Sequence, residues 1–231
     1  MNCIQANVRM LWNDFRTSYL IFWSVLLAIF ALMIILFLVK FGEDGTVQIG
    51  GGMTAVWVYF FFAGALQPNS TFRFALGMSV TRREYFAATV VFWLLMAALT
   101  GVIVLIGHVL ERAFFQNIAG MNITFFTMLE DTAMWDVLLI GFAVPLFCAA
   151  AGFLAASGTY RIGHIAWIGS IGLGLLAVMT IHLLELWDEI ARLFSQIETA
   201  GEAAIWLVIL SAILFLFSWL ILCRAPVKTG R

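Results

Sequence analysis

Charged side chains are scarce in this sequence: 13 acidic and 12 basic residues make up 11% of its 231 positions, against 64% hydrophobic. A water-soluble domain with so little charge would expose large apolar patches and associate through them. A bilayer removes that difficulty, because a helix that is apolar on all sides is stable in lipid. Proline is rare too, with three residues, and no Gly/Ser linker or low-complexity run divides the chain. Residues 1–231 are therefore expected to form one membrane domain. Cys3, Cys148 and Cys223 are far apart and lack C-x-x-C spacing, which argues against a structural disulfide or a zinc site.

Missing motifs narrow the function further. No G-x-x-x-x-G-K-[ST] phosphate loop occurs, so ATP hydrolysis by that route is excluded for this chain. H-E-x-x-H and G-x-S-x-G are absent as well, and Gly169-Ser170-Ile171-Gly172, inside an apolar run, reads as a helix-packing stretch. His108 in the third run and His164 and His182 in the fifth are far apart in sequence, near run ends where a polar-tipped ring is tolerated. No catalytic, cofactor-binding or metal-ligating set is expected, the chain does not read as an enzyme, and no nucleic-acid partner is implied. Ionisable residues are almost absent from the middle of the apolar runs, where ion-coupled transporters and pumps need them. A self-contained ion-coupled transporter is disfavoured. A chain moving an apolar or lipid-like substrate would not need such groups.

What is present is a series of six apolar runs: Tyr19–Val39, Met53–Leu66, Tyr85–Leu110, Met134–Ala156, His164–Leu184 and Ala203–Cys223. A hydrocarbon core of about 30 Å takes roughly 20 apolar residues per helix, and the second run is the shortest match. The period-2 alternation of a membrane β-barrel is absent, so the sequence predicts an all-α, polytopic membrane protein with six transmembrane helices.

The loops sort by charge. One set comprises the N-terminus, residues 67–84, residues 157–163 and the C-terminal tail. It holds Arg9, Arg16, Arg73, Arg82, Arg83, Arg161, Arg224, Lys228 and Arg231, which leaves only Lys40, Arg112 and Arg192 for the other set. Acidic residues divide the opposite way, with only Asp14 and Glu84 in the first set. The positive-inside rule makes the first set cytoplasmic, so both termini are expected inside, at the plasma membrane. The polar start, Met1–Ser18, is too long and mixed for a cleavable signal peptide.

Three segments outside the spans carry a pattern. Val8, Leu11, Trp12, Phe15 and Tyr19 recur at three or four, with Arg9, Asn13, Asp14 and Arg16 between them. This predicts an N-terminal interfacial helix, with an early-starting first span as the alternative. On the outer side Leu183, Leu186, Trp187, Ile190, Leu193, Phe194 and Ile197 are expected to form an external amphipathic helix before the last span, either a gate or a surface connector. The connection between the second and third runs holds Phe72, Arg73, Phe74, Leu76, Gly77 and Met78, then Thr81, Arg82, Arg83 and Glu84. Pro68 is expected to end the second helix, Asn69, Ser70 or Thr71 to cap a new one, and Gly77 to allow a turn. Thr81 and Glu84 have capping-box spacing. A short helix carrying aromatics and arginines below the membrane suits docking on a soluble partner; a plain positive-inside anchor explains Arg82 and Arg83 but not the aromatics. In the fourth run Ala149, Ala150, Ala151, Gly152, Ala155 and Ala156 would let a neighbouring helix approach closely, within the chain or across a dimer.

The stretch Gly77-Met78-Ser79-Val80-Thr81-Arg82-Arg83-Glu84-Tyr85-Phe86 resembles the segment before the third span of bacterial ABC transporter permeases of the ABC-2, type V exporter-like, group. The overall layout of spans and interfacial helices is similar to theirs as well. The resemblance implies a membrane-spanning permease subunit in the bacterial cytoplasmic membrane, exporting a hydrophobic or amphipathic substrate. It implies a coupling helix at Phe72, Arg73, Phe74, Gly77, Thr81, Arg82, Arg83 and Glu84, docked on a separate P-loop ATPase subunit that binds ATP and Mg. It also implies a second permease subunit, the same chain or a paralogue, with the substrate path between the two. Two other classes compete: a six-span substrate-binding importer subunit (S-component-like), from whose Ala-x-x-x-Ala face Ala28 and Ala31 depart, and a membrane enzyme or a non-transporting immunity or sensor protein.

Overall fold

Apolar runs without breakers become long helices in the computed structural model, which describes residues 3–40, 52–78, 80–113, 133–163 and 199–223. They are α1 (Cys3–Lys40), α2 (Gly52–Gln67), a π-helical turn (Pro68–Phe72), α3 (Arg73–Gly77), α4 (Arg82–Glu111), α5 (Met134–Ile162) and α6 (Ala200–Cys223). Among the described residues there is no strand. Four helical segments are long and apolar enough to cross a membrane: Ile4–Leu32, Arg82–Glu111, Met134–Arg161 and Ala200–Cys223. They contain the third, fourth and sixth apolar runs and the first as far as Leu32. The second run forms α2, whose 16 residues fall short of the roughly 20 a spanning helix takes. The fifth run and the external amphipathic segment lie outside the described residues.

The N-terminal amphipathic segment is not a separate interfacial helix. It is the first part of α1, which runs unbroken from Cys3 to Lys40. The physical reason is that no Gly or Pro interrupts these positions, and one buried stripe passes through them. Asn7, Leu11, Tyr19, Trp23 and Leu26 are buried in register with half-buried Phe15. This stripe seats α1 on α4. Phe15 meets Phe92 and Trp93 edge-on at 5.4 and 5.5 Å between ring centroids. One turn on, the Tyr19 hydroxyl lies 3.0 Å from Thr100 Oγ1. Thr100 donates its own hydrogen to the Met96 carbonyl at 2.9 Å, so Tyr19 is the donor of this pair.

α5 is the hub, packed against α2, α4 and α6. Between helices in lipid there is little hydrophobic driving force, so close backbone approach and dispersion contacts hold the bundle together. Small residues supply that approach. A methyl group on Gly152 would collide with the Phe61 carbonyl oxygen, and one on Gly64 with the Ala149 carbonyl oxygen, so α2 and α5 touch backbone to backbone. Gly101 and Gly141 do the same for α4 and α5: a methyl on Gly141 would sit 3.2 Å from the Gly101 Cα. The alanine-rich face of α5 is thus used within the chain, with Ala149, Ala150 and Ala156 fully buried. α5 also continues through Pro145 without a break. Two serine hydroxyls inside the bundle bond back to their own helices, Ser157 to the Phe153 carbonyl at 2.7 Å and Ser218 to that of Leu214 at 2.8 Å, which leaves them satisfied where no water is present.

Candidate functional site

The connection from α2 to α4 begins with a helix that does not stop where a proline is expected to stop it. Pro68 has no N–H to give, and its ring crowds the carbonyl one turn back. The chain answers by widening into the π-helical turn Pro68–Phe72 and runs on directly into α3. Hydroxyls of the turn bond back to the end of α2: Thr71 Oγ1 donates to the Gln67 carbonyl at 2.8 Å, and Ser70 Oγ to the same carbonyl at 3.2 Å. Ser70 and Thr71 are therefore spent on α2 and do not cap α3. Phe72, helical in φ and ψ, precedes α3 with no side-chain cap.

The expected aromatic display divides in two. Phe74 and Met78 are exposed, at 59% and 61%. Phe72 is not: it is 1% exposed, wedged edge-on between Tyr85 at 5.1 Å and Tyr160 at 5.3 Å. Its assignment to the docking face is corrected accordingly, since the first turn of α4 and the last turns of α5 cover the ring. Beside it, Thr71 Oγ1 lies 2.7 Å from the Tyr85 hydroxyl; Thr71 donates to Gln67, so Tyr85 donates here. Neither Tyr85 nor Tyr160 figured in the docking reading. Tyr85 stands within the quoted motif, but nothing local marks Tyr160, on another helix, as its neighbour.

The remaining residues of the segment have individual places. Arg73 opens α3. Gly77 ends it on the surface, where an added methyl would meet nothing within 4 Å. Among the described glycines only Gly163 has a positive φ, so Gly77 serves no left-handed turn. The chain instead closes through Met78 N–H and Val80 N–H donating to the Ala75 carbonyl at 3.1 and 3.2 Å. Thr81 then starts α4 with the expected capping box. Its Oγ1 accepts from the Glu84 N–H at 3.3 Å, and Glu84 Oε2 accepts from the Thr81 N–H at 3.0 Å and hydroxyl at 2.8 Å. Arg83 is exposed. Arg82 reaches across the bundle, donating Nη1 to the carbonyls of Cys223 at 2.6 Å and Leu222 at 3.3 Å. These belong to the last turn of α6, whose carbonyls have no partner within the helix and whose negative dipole end favours a cation.

The geometry is that of a short helix clamped to the bundle by one buried ring and one hydroxyl pair. Its free face presents an aromatic ring, a thioether and, a few residues on, an arginine. Such a surface offers apolar contact and charge to a partner, and holds no constellation for covalent chemistry. Comparison of the chain with protein-family models, with curated proteins and with solved structures finds no match.

Proposed function

We propose that this chain is the membrane-spanning permease subunit of an ABC transporter of the ABC-2 kind. In this reading six spans cross the bacterial cytoplasmic membrane with both termini inside. The second is α2 and the fifth is residues 164–184. A separate P-loop ATPase supplies ATP hydrolysis, a second permease subunit completes the path, and the cargo is hydrophobic or amphipathic and is exported.

The observation that carries the reading is the clamped helix α3. A coupling element has to be held rigidly by the spans and yet present a face to a soluble partner. Phe72 locked between Tyr85 and Tyr160 meets the first demand, and exposed Phe74 and Met78 meet the second. The same contacts suggest how motion is passed on. A push on α3 bears through Phe72 on the near ends of α4 and α5, and Arg82 ties the start of α4 to the end of α6. Three helices then move together, as a rigid-body switch requires.

A mild-detergent pull-down of the tagged full-length chain from its native membrane tests this. A stoichiometric P-loop ATPase is the expected companion. A chain that purifies without one, even after crosslinking from position 74, sinks the permease reading and promotes an immunity or sensor role. Tightly bound vitamin would instead favour the importer subunit.

A further inference from the structure

We propose that the chain carries a binding site for a small protonated amine with an apolar body, in a cavity between α1, the end of α2 and the first half of α4. The cavity has a volume of about 260 Å³. That is at the small end for ligand pockets, which suits a compact molecule and excludes a phospholipid with its acyl chains.

Two independent features set the chemistry. The first is charge of a single sign. Asp14 is among the lining residues, and no Lys, Arg or His lines the cavity, although Arg9 and Arg16 flank Asp14 on the same helix. Among the described residues Asp14 has no ion-pair partner. The second is Gln67, which also lines the cavity and is 8% exposed. Both atoms of its amide, Oε1 and Nε2, are buried with no hydrogen-bond partner. A buried amide left in that state is destabilising, and a ligand that donates to Oε1 relieves the acceptor's share of that cost.

The other polar groups point to a donor rather than an acceptor. Ser70 has already given its hydrogen to the Gln67 and Leu66 carbonyls, so its oxygen can only accept. A carboxylate such as that of Asp14 likewise only accepts, and Gln67 Oε1 adds a third acceptor, equal in number to the three N–H donors of a primary ammonium. The rings of Phe15, Tyr59 and Phe92 line the same space. Ring faces attract cations and give an apolar body a contact surface. An anion of the same shape would find no counter-charge here. The site belongs to the chain itself and does not rest on the permease reading, so a transporter, an immunity protein and a sensor would all show it.

The test is calorimetric titration of the purified full-length chain in detergent at neutral pH with 2-phenylethylamine, 2-phenylethanol and 3-phenylpropionate. Saturable binding of the amine is expected, with the alcohol and the acid weaker by roughly fivefold or more, as for loss of one partly exposed charge pair. Asp14→Asn and Gln67→Leu are each expected to weaken the amine by a similar factor. Asp14 is an exposed residue, so its variant keeps the fold even if the Gln67 variant does not. No saturable amine binding at millimolar concentration, equal binding of amine and alcohol, or amine binding unchanged by Asp14→Asn would each overturn the proposal.

Discussion

Phe72 and Phe74 stand two positions apart and have opposite surroundings, which makes them a controlled pair. Removing the Phe72 ring leaves a hole between Tyr85 and Tyr160, a loss of about 3–5 kcal/mol in soluble cores. Phe72→Ala is therefore expected to lower the thermal unfolding midpoint of the chain in detergent. Phe74 is exposed, so Phe74→Ala should change stability by less than about 0.5 kcal/mol while, on the proposed function, reducing capture of an ATPase partner. Full capture by Phe74→Ala would move the interface elsewhere. Arg82 makes the same point about charge. Positive-inside sorting accounts for an arginine in this loop, but not for its bond to the end of α6, which belongs to the folded bundle.

Two glycines show how elements are joined, and where they are not. Gly152 lies where α5 touches the backbone of α2. Gly152→Val is expected to force these helices apart at a cost of roughly 1–3 kcal/mol or more, read as a lower unfolding midpoint. Gly77 has open space beyond it and an ordinary φ. Gly77→Ala should be neutral or stabilise by up to about 1 kcal/mol through helix propensity and a less flexible unfolded chain. If Gly77→Ala destabilised the chain as much as Gly152→Val, the contrast between packed and open glycines would be wrong. At this scale the capping box of α4 was legible from Thr81 and Glu84, because a cap is made by residues three apart. The π-helical turn was not. Whether a proline ends a helix depends on whether the backbone can widen around it, and here it does so, with Ser70 and Thr71 bonded back to the Gln67 carbonyl.

For the whole molecule, the charge sorting of the loops makes a topological prediction that packing does not address. In a variant whose natural cysteines have been replaced, Ser79→Cys should react with a membrane-impermeant maleimide in inverted vesicles and stay unlabelled in intact cells. Labelling from outside would reverse the orientation and put α3 out of reach of any cytoplasmic ATPase. The amine site is independent of that result, since it is formed by α1, α2 and α4 whichever way they face.

Composition and periodicity by themselves determined that this chain is helical and apolar enough for a membrane, that four of its apolar runs fall on helices long enough to cross one, and how α4 is capped. These properties are written in the spacing of neighbouring residues and in the scarcity of charge. Only the tertiary structure decided that α1 is one helix, that α5 is the hub, that Phe72 is an anchor while Phe74 is displayed, and that Asp14 and Gln67 face one cavity. In an apolar chain nearly every side chain is a candidate for either the core or the lipid, so sequence spacing cannot rank them. The choice falls to backbones close enough to touch, such as Gly64 on Ala149, and to rings brought together from helices far apart in the chain.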